Sequence, residues 1–470
     1  MNDQLAAFNL NNRVKMASTV RKTTGIVAMA ALLNPLNSSM ISVALLKIAF
    51  YYQISIAQTS WLILGYFLMT AIGQPVMGKL ADLYGPRRIF NTGLVFVALF
   101  SLLSVWAPSF GWLVALRILQ AFSNTALFPA GMALLQASAA VAGTNNGKIP
   151  VSATGMISFT NNITAALGPV IGGVLVYFID WRSIFWINVP IVMLIMTLFH
   201  LWIPREQSSA AADRSVASWR SQLDIPGILL FSSSLFGFMY FLQSMKSGPL
   251  WWMLITAAIL FGALVGHELR RENPFINVRL LKSDLKLLMV YVQYAGTSFV
   301  YYCILYGLPL WLQQLRGYSA KESGLILLPL LVSGIVATQA AVPIVSRYTY
   351  RRSIVIGYMI LILGAALLLL VKSDTGLKWL LAVLAILGIP NGLANVGWQT
   401  ALFTLAKPGE TGAASGLFLT FRSLGSILAT SLIGTVFSGK ATTGSLHEIA
   451  AVIFAASLVM AAVSFSRKLV

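Results

Sequence analysis

The stretch GKLADLYGPRR, residues 78–88, interrupts two long apolar runs with two glycines, one acid and three bases. Carboxylates are scarce in this chain, 13 Asp and Glu against 32 Lys and Arg in 470 residues. An acid kept at such a break needs a reason, and composition narrows what kind. Hydrophobic residues make up 58% of the chain and charged residues 10%, with a mean hydropathy of +0.81. That is the balance of an integral membrane protein, not of a soluble globular domain.

A bilayer core takes about 20 apolar residues per helix. The sequence supplies fourteen such runs, at 26–50, 59–79, 89–107, 110–136, 151–177, 184–203, 225–243, 250–267, 286–311, 321–345, 354–371, 377–405, 412–437 and 447–466. The first run lacks a small-residue cleavage site and is followed by another full spanner, so it is read as retained in the membrane. The expected fold is all-α, with fourteen transmembrane helices. The net charge of +19 does not point to nucleic acid, because no stretch outside the runs is long enough to be a basic binding domain. It follows topology instead. With loops counted alternately, 22 of the 32 Lys and Arg fall on the side of the N-terminus and eight on the other. The positive-inside rule then puts both termini in the cytoplasm.

The longest polar interruptions divide the chain into a cytoplasmic N-terminal segment (1–25), a six-helix bundle (26–203), a linker (204–224), a two-helix insertion (225–267), a second linker (268–285) and a second six-helix bundle (286–470). Two such bundles are expected to be pseudo-symmetric repeats. A shift of 264 residues lays PIVSRYTYRR (343–352) on KLADLYGPRR (79–88). It matches Tyr348 to Tyr84, Arg351 to Arg87 and Arg352 to Arg88. Ser346 stands where the first copy has Asp82, and Thr349 where it has Gly85.

Several motifs in order resemble the major facilitator superfamily, and its fourteen-spanner drug:proton antiporter branch in particular. Residues 78–88 resemble the loop signature between the second and third helices at Gly78, Lys79, Leu80, Asp82, Gly85, Arg87 and Arg88, and depart at Leu83 and Pro86. LRILQA (116–121) resembles the arginine motif of the fourth helix through Arg117 and Gln120. GMISFTNNITAALGPVIGG (155–173) resembles the antiporter motif, with Gly155, Gly168, Pro169, Gly172 and Gly173 matching and Thr164 in place of a glycine. LNSSMISVAL (36–45) resembles the first-helix signature, with Asn37 where an Asp is usual. LPLWLQQLRGYSAKESGLILLP (308–329) and GAASGLFLTFRSLGSILA (412–429) also look like that branch. The resemblance implies a secondary transporter that exports amphipathic small molecules by alternating access in exchange for protons. It also implies that Asp82 is a conformational latch, with the start of the thirteenth run near Thr411 and Gly412 as its partner.

The residues admit two readings at most of these positions. Lys79, Arg87 and Arg88 either fix the loop and meet anionic lipid or are ordinary positive-inside charges around a Gly85-Pro86 turn. A charge near a helix centre costs about 2.5–3.5 kcal/mol on insertion scales. Arg117 and Arg422 are therefore functional candidates, and the alternative is that each satisfies backbone carbonyls. Arg117, Gln120 and Asn124 form one helical stripe. Asn34, Asn37 and Ser38 lie along the first run, Tyr294, Thr297 and Tyr301 along the ninth, and Asn391, Asn395, Trp398 and Gln399 on the twelfth. Such stripes either line a cavity or glue helices together. Trp61 and Trp311 read as interface anchors. The glycines of 155–173 permit close helix approach, which packing alone also explains.

Three scattered histidines, His200, His267 and His447, and one cysteine, Cys303, give no support to metal or His-based catalysis, so neither an enzyme nor a cofactor is expected. A channel suits two repeats with a latch less well than alternating access does. No acid lies in the middle of a span, so a cavity holding the two arginines is net positive. It favours neutral, zwitterionic or anionic amphiphiles, and a lipid or anion carrier with weak or no proton coupling is the rival reading. The expected setting is a bacterial-type cell membrane, with small amphipathic substrate, protons and lipid as partners, no nucleic acid, and a monomeric state.

Overall fold

The computed structural model describes residues 18–54, 56–59, 61–142, 148–203, 224–245, 248–271, 274–276, 278–318, 320–407, 410–437 and 442–465. Most of the N-terminal segment and of the linker 204–224 lies outside the described residues. Among the described residues the only regular elements are helices. Thirteen are long and apolar enough to cross a membrane, and a bent pair makes fourteen. They are α1 (Ser18–Ile41), α2 (Trp61–Tyr84), α3 (Pro86–Val105), α4 (Phe110–Val141), α5 (Val151–Ala165 with Val170–Phe178), α6 (Ser183–Trp202), α7 (Ile225–Leu242), α8 (Trp251–Glu268), α9 (Leu285–Gln314), α10 (Glu322–Arg347), α11 (Tyr350–Leu369), α12 (Leu377–Leu405), α13 (Thr411–Val436) and α14 (Thr443–Phe465).

Each corresponds to one apolar run, with one instructive difference. The first helix already includes Ser18, inside the segment read as a polar tail. Thr23 and Thr24 carry it there by donating their hydroxyls to the carbonyls of Thr19 (3.0 Å) and Val20 (2.8 Å), one turn back. A hydroxyl satisfied within its own helix no longer marks a helix end.

The helices form two compact units, Met1–Ser218 with Ala406–Leu417, and Trp219–Leu405 with Phe418–Val470. The hairpin α7–α8, set apart in the sequence as an insertion, belongs to the second unit. Ser431 of α13 donates to the Leu242 carbonyl at 3.1 Å, and the hairpin's entry is tied by Asp224, which caps Gly227 N (3.1 Å) and meets His267 Nε2 at 2.8 Å. The start of α13 goes the other way and is grouped with the first unit.

The first arginine of the repeated basic pair does the same mechanical work in both units. At the start of α3, Arg87 donates to the carbonyl of Ile203, just past α6, at 2.6 Å, and lies over the Phe199 ring. At the start of α11, Arg351 donates to the carbonyls of Ser464 (3.0 Å) and Phe465 at the end of α14. In each unit a guanidinium thus closes the last helix by satisfying carbonyls that a helix end leaves without partners. Arg88 is exposed. Gly85 has φ +90°, a conformation only glycine adopts freely, and it turns the chain sharply into Pro86 at the head of α3.

Glycines set the closest helix contacts. In the second unit a Cβ on Gly388 would stand 2.1 Å from the Leu330 carbonyl oxygen, and one on Gly392 2.3 Å from that of Gly334. α10 and α12 therefore touch backbone to backbone, as small residues four apart permit. Gly392→Ala is expected to lower the unfolding temperature in detergent, at a cost of about 1–3 kcal/mol for overpacking. Gly266→Ala, where nothing lies within 4 Å, should leave it unchanged or raise it. Equal melting of the two variants removes the close-contact account.

Candidate functional site

Asp82 lies in the last turn of α2, and both its oxygens are engaged. Oδ1 accepts from Gly412 N at 2.9 Å and Oδ2 from Ala413 N at 2.8 Å. These are first-turn amides of α13, where the unpaired N–H groups and the helix dipole favour an anion. The approach is close enough to require glycine on both sides. A Cβ on Gly78 would lie 2.2 Å from the Gly412 oxygen, and one on Gly412 2.7 Å from Asp82 Oδ1. One turn along, Gly416 meets Gln74 in the same way, at 2.2 Å. Lys79 sits beside this contact, half-buried.

The polar stripes of the first unit close into one network. Asn37 and Asn188 exchange a reciprocal amide pair, 2.9 Å in each direction. Asn37 Nδ2 also donates to the Leu33 carbonyl at 2.8 Å, and both side chains are buried. Arg117 is 2% exposed. Its Nη1 donates to Gln120 Oε1 at 2.6 Å, its Nη2 to the Asn37 carbonyl, and its guanidinium lies over the Tyr66 ring at 4.4 Å. Gln120 continues to Ser101 at 2.5 Å. Asn124 donates to the Tyr66 hydroxyl at 2.8 Å, which in turn donates to Asn34 Oδ1 at 3.0 Å. Asn34 and Ser38 keep partial exposure.

In the second unit the hub is Tyr358. Its hydroxyl donates to Gln293 Oε1 at 3.2 Å, accepts from Trp398 Nε1 at 3.2 Å, and pairs with Thr297 at 2.9 Å. Asn395 Oδ1 accepts from Gln399 at 3.0 Å and from Tyr294 at 3.5 Å, and Tyr294 stacks flat on Phe418 with centroids 3.7 Å apart. Tyr294, Thr297, Asn395, Trp398 and Gln399 are all buried. Tyr301, Asn391 and Arg422 remain half-buried, and Arg422 Nη2 donates to the Tyr302 hydroxyl at 3.2 Å.

The antiporter motif falls on α5, which bends by 45° between Ala165 and Val170, bracketing Gly168 and Pro169. A Cβ on Gly168 would strike Ser39 Oγ at 1.7 Å and one on Gly172 would reach Met40 Cα at 3.0 Å, so α5 lies directly on α1. Gly155 is buried, and Gly173 has open space around it. Trp61 is 51% exposed, but Trp311 is wholly buried under Arg316 and is no interface anchor. Sequence reasoning missed Tyr66, Asn188, Gln293, Tyr302 and Tyr358. Gln293 lies four residues before Thr297, so helical spacing put it on the face of the ninth stripe and could have found it.

Residues 27–430 match the Major Facilitator Superfamily. The chain belongs to this superfamily. As a member it is a multi-pass membrane transporter rather than an enzyme. An uncharacterized MFS-type transporter of Bacillus subtilis (strain 168), YwoD, is 34% identical over 441 residues, 93% of this chain and 95% of that protein. Multidrug resistance protein 3 of the same organism is 25% identical over 431 residues, 90% and 80% of the two chains. The crystal structure of the human organic anion transporter MFSD10 (TETRAN) superposes with a TM-score of 0.68 at 13% identity, covering 94% of this chain and 99% of that one. At that identity the likeness is one of fold.

Within this superfamily member the Asn37–Asn188 pair offers a clean measurement. Either Asn37→Ala or Asn188→Ala strands a buried amide and should cost about 1–3 kcal/mol, while the double variant should cost less than the sum of the two. Thermal unfolding of the four proteins in detergent measures this, and strict additivity contradicts the pair.

Proposed function

We propose that this protein exports amphipathic small molecules across a bacterial cell membrane by alternating access, exchanging them for protons, with both termini in the cytoplasm. The observation that carries this reading is the Asp82 carboxylate on the Gly412 and Ala413 amides. Residues Ala406–Leu417 are grouped with the first unit and Phe418 onward with the second. Asp82 therefore grips one end of a helix whose remainder belongs to the other unit. Two charge-assisted hydrogen bonds to backbone amides form or break as a set, which is what a latch between two conformations requires. Gly78, Gly85, Lys79, Arg87 and Arg88 position or border that latch. Relatives named for multidrug resistance support drug-like amphiphiles as the substrate class.

Asp82→Asn keeps the shape but removes the charge and one acceptor oxygen. Turnover of a lipophilic dye in proteoliposomes should fall about tenfold or more, the equivalent of roughly 1.4 kcal/mol, while equilibrium binding of the dye stays within about twofold. Unchanged turnover discards the latch.

A second reading concerns coupling, and one observation favours it. The first-helix position where the drug antiporter branch usually carries an Asp holds Asn37, an amide that cannot titrate and that is closed on Asn188. On this reading the protein moves neutral, zwitterionic or anionic amphiphiles with weak or no proton coupling. An imposed pH gradient separates the two. A steep response of wild-type uptake supports exchange with protons, and a flat one supports the uncoupled carrier.

A further inference from the structure

We propose that Arg422 and the tyrosines of α9 form a substrate site for the acid group of a flat aromatic amphiphile, so that the cargo of this protein is anionic. The inference rests on the transport reading above and adds the substrate's charge and shape.

The two arginines inside the spans are in opposite situations. Arg117 is closed within the first unit by Gln120, the Asn37 carbonyl and the Tyr66 face, with almost no exposure. Arg422 is half-buried and has a single hydrogen bond, to the Tyr302 hydroxyl. A guanidinium carries five N–H donors in a planar fork, so most of this fork is uncommitted. None of its atoms is sealed away without a partner, and the free N–H groups therefore face accessible space. No carboxylate offsets the charge. Among the described residues, the ion pairs Arg182–Asp180, His267–Asp224 and Arg271–Asp224 all leave Arg422 out.

What surrounds Arg422 is aromatic. Tyr302 and Tyr306, one helical turn apart on α9, stack with centroids 5.4 Å apart, and Tyr301 meets Tyr302 edge-on at 5.5 Å. Tyr306 is 38% exposed. The hydroxyls of Tyr294, Tyr301 and Tyr302 all lie within electrostatic reach of the guanidinium. This arrangement is held by backbone contact, since a Cβ on Gly425 would lie 2.2 Å from the Ala295 oxygen, and by the stack of Phe418 on Tyr294. α13 is thereby pinned to α9 on both sides of Arg422. A planar fork of donors beside a ladder of ring faces matches a carboxylate attached to a flat ring system. The fork takes the two oxygens in parallel, and the rings take the hydrophobic body.

Three naphthalene probes of equal size test this, naphthoate, naphthamide and naphthylmethylammonium. Purified protein in detergent reports binding, and proteoliposomes report uptake. Wild type should bind naphthoate about tenfold or more tightly than naphthamide, as a charge-assisted bidentate contact implies, and the cation most weakly. Arg422→Gln should erase the preference for the acid while keeping naphthamide binding, which also shows that the variant is folded. Tyr302→Phe, which frees the guanidinium from its one tether, should lower naphthoate affinity several-fold and leave naphthamide alone. A wild type that prefers the cation, or an Arg422→Gln protein that still prefers the acid, overturns the proposal. Binding of naphthoate through Arg422 without uptake of any probe overturns the transport reading and leaves the site. Uptake of all three probes alike, in wild type and Arg422→Gln, does the reverse.

Discussion

A polar group carried into hydrocarbon has only protein to pair with, and each unpaired one costs several kcal/mol. The interior of each unit is organised by that constraint. Hydroxyls turn back on carbonyls of their own helices, as Thr23, Thr24, Thr297 and Ser298 do. Amides find one another across helices, as Asn37 finds Asn188, and a buried guanidinium is enclosed on several sides at Arg117. Against this background two charged side chains stand out. Asp82 accepts from two backbone amides at the head of α13, and half-buried Arg422 donates to one phenol.

Much of this was legible before any coordinates. Hydropathy placed fourteen spans because length and apolarity are local properties of the chain. The glycine, acid and bases of 78–88 marked the Asp82 contact, since chemistry that rare at a span's edge has few explanations. The resemblance also named Gly412 as the partner of Asp82, but the partners of the buried amides were not legible. Asn37 and Asn188 are 151 positions apart, and Gln293 and Tyr358 are 65 apart, so neither pairing has a trace in helical spacing. Trp311 was misread because tryptophan near a span end is usually an anchor, and burial beneath Arg316 is a tertiary fact. The polar stripes were correctly seen as stripes, but whether a stripe faces a cavity or another helix depends on what packs against it. For Thr297, Asn395, Trp398 and Gln399 it is protein.

The two similar stretches, 79–88 and 343–352, show which parts of the 78–88 motif are scaffolding. Arg87 and Arg351 each close the last helix of a unit on its carbonyls, and that function survives in both copies. The acid survives in one. Ser346, which occupies the place of Asp82, is exposed, while Asp82 holds the head of α13. The basic residue therefore answers a structural need common to both units, and the carboxylate a need that arises once.

The Asn37–Asn188 pair also constrains how such a chain can change over generations. A lone carboxylate at position 37 would lose the donor that now serves both Leu33 and Asn188, and would leave the amide of Asn188 facing an acceptor it must rearrange to meet. The two sites are therefore expected to drift together, and a lineage acquiring an acid on its first helix must pass through, or around, a poorly paired intermediate. The residue at position 37 is in that sense bound by a handshake between α1 and α6, and replacing it by design is a two-position problem from the outset.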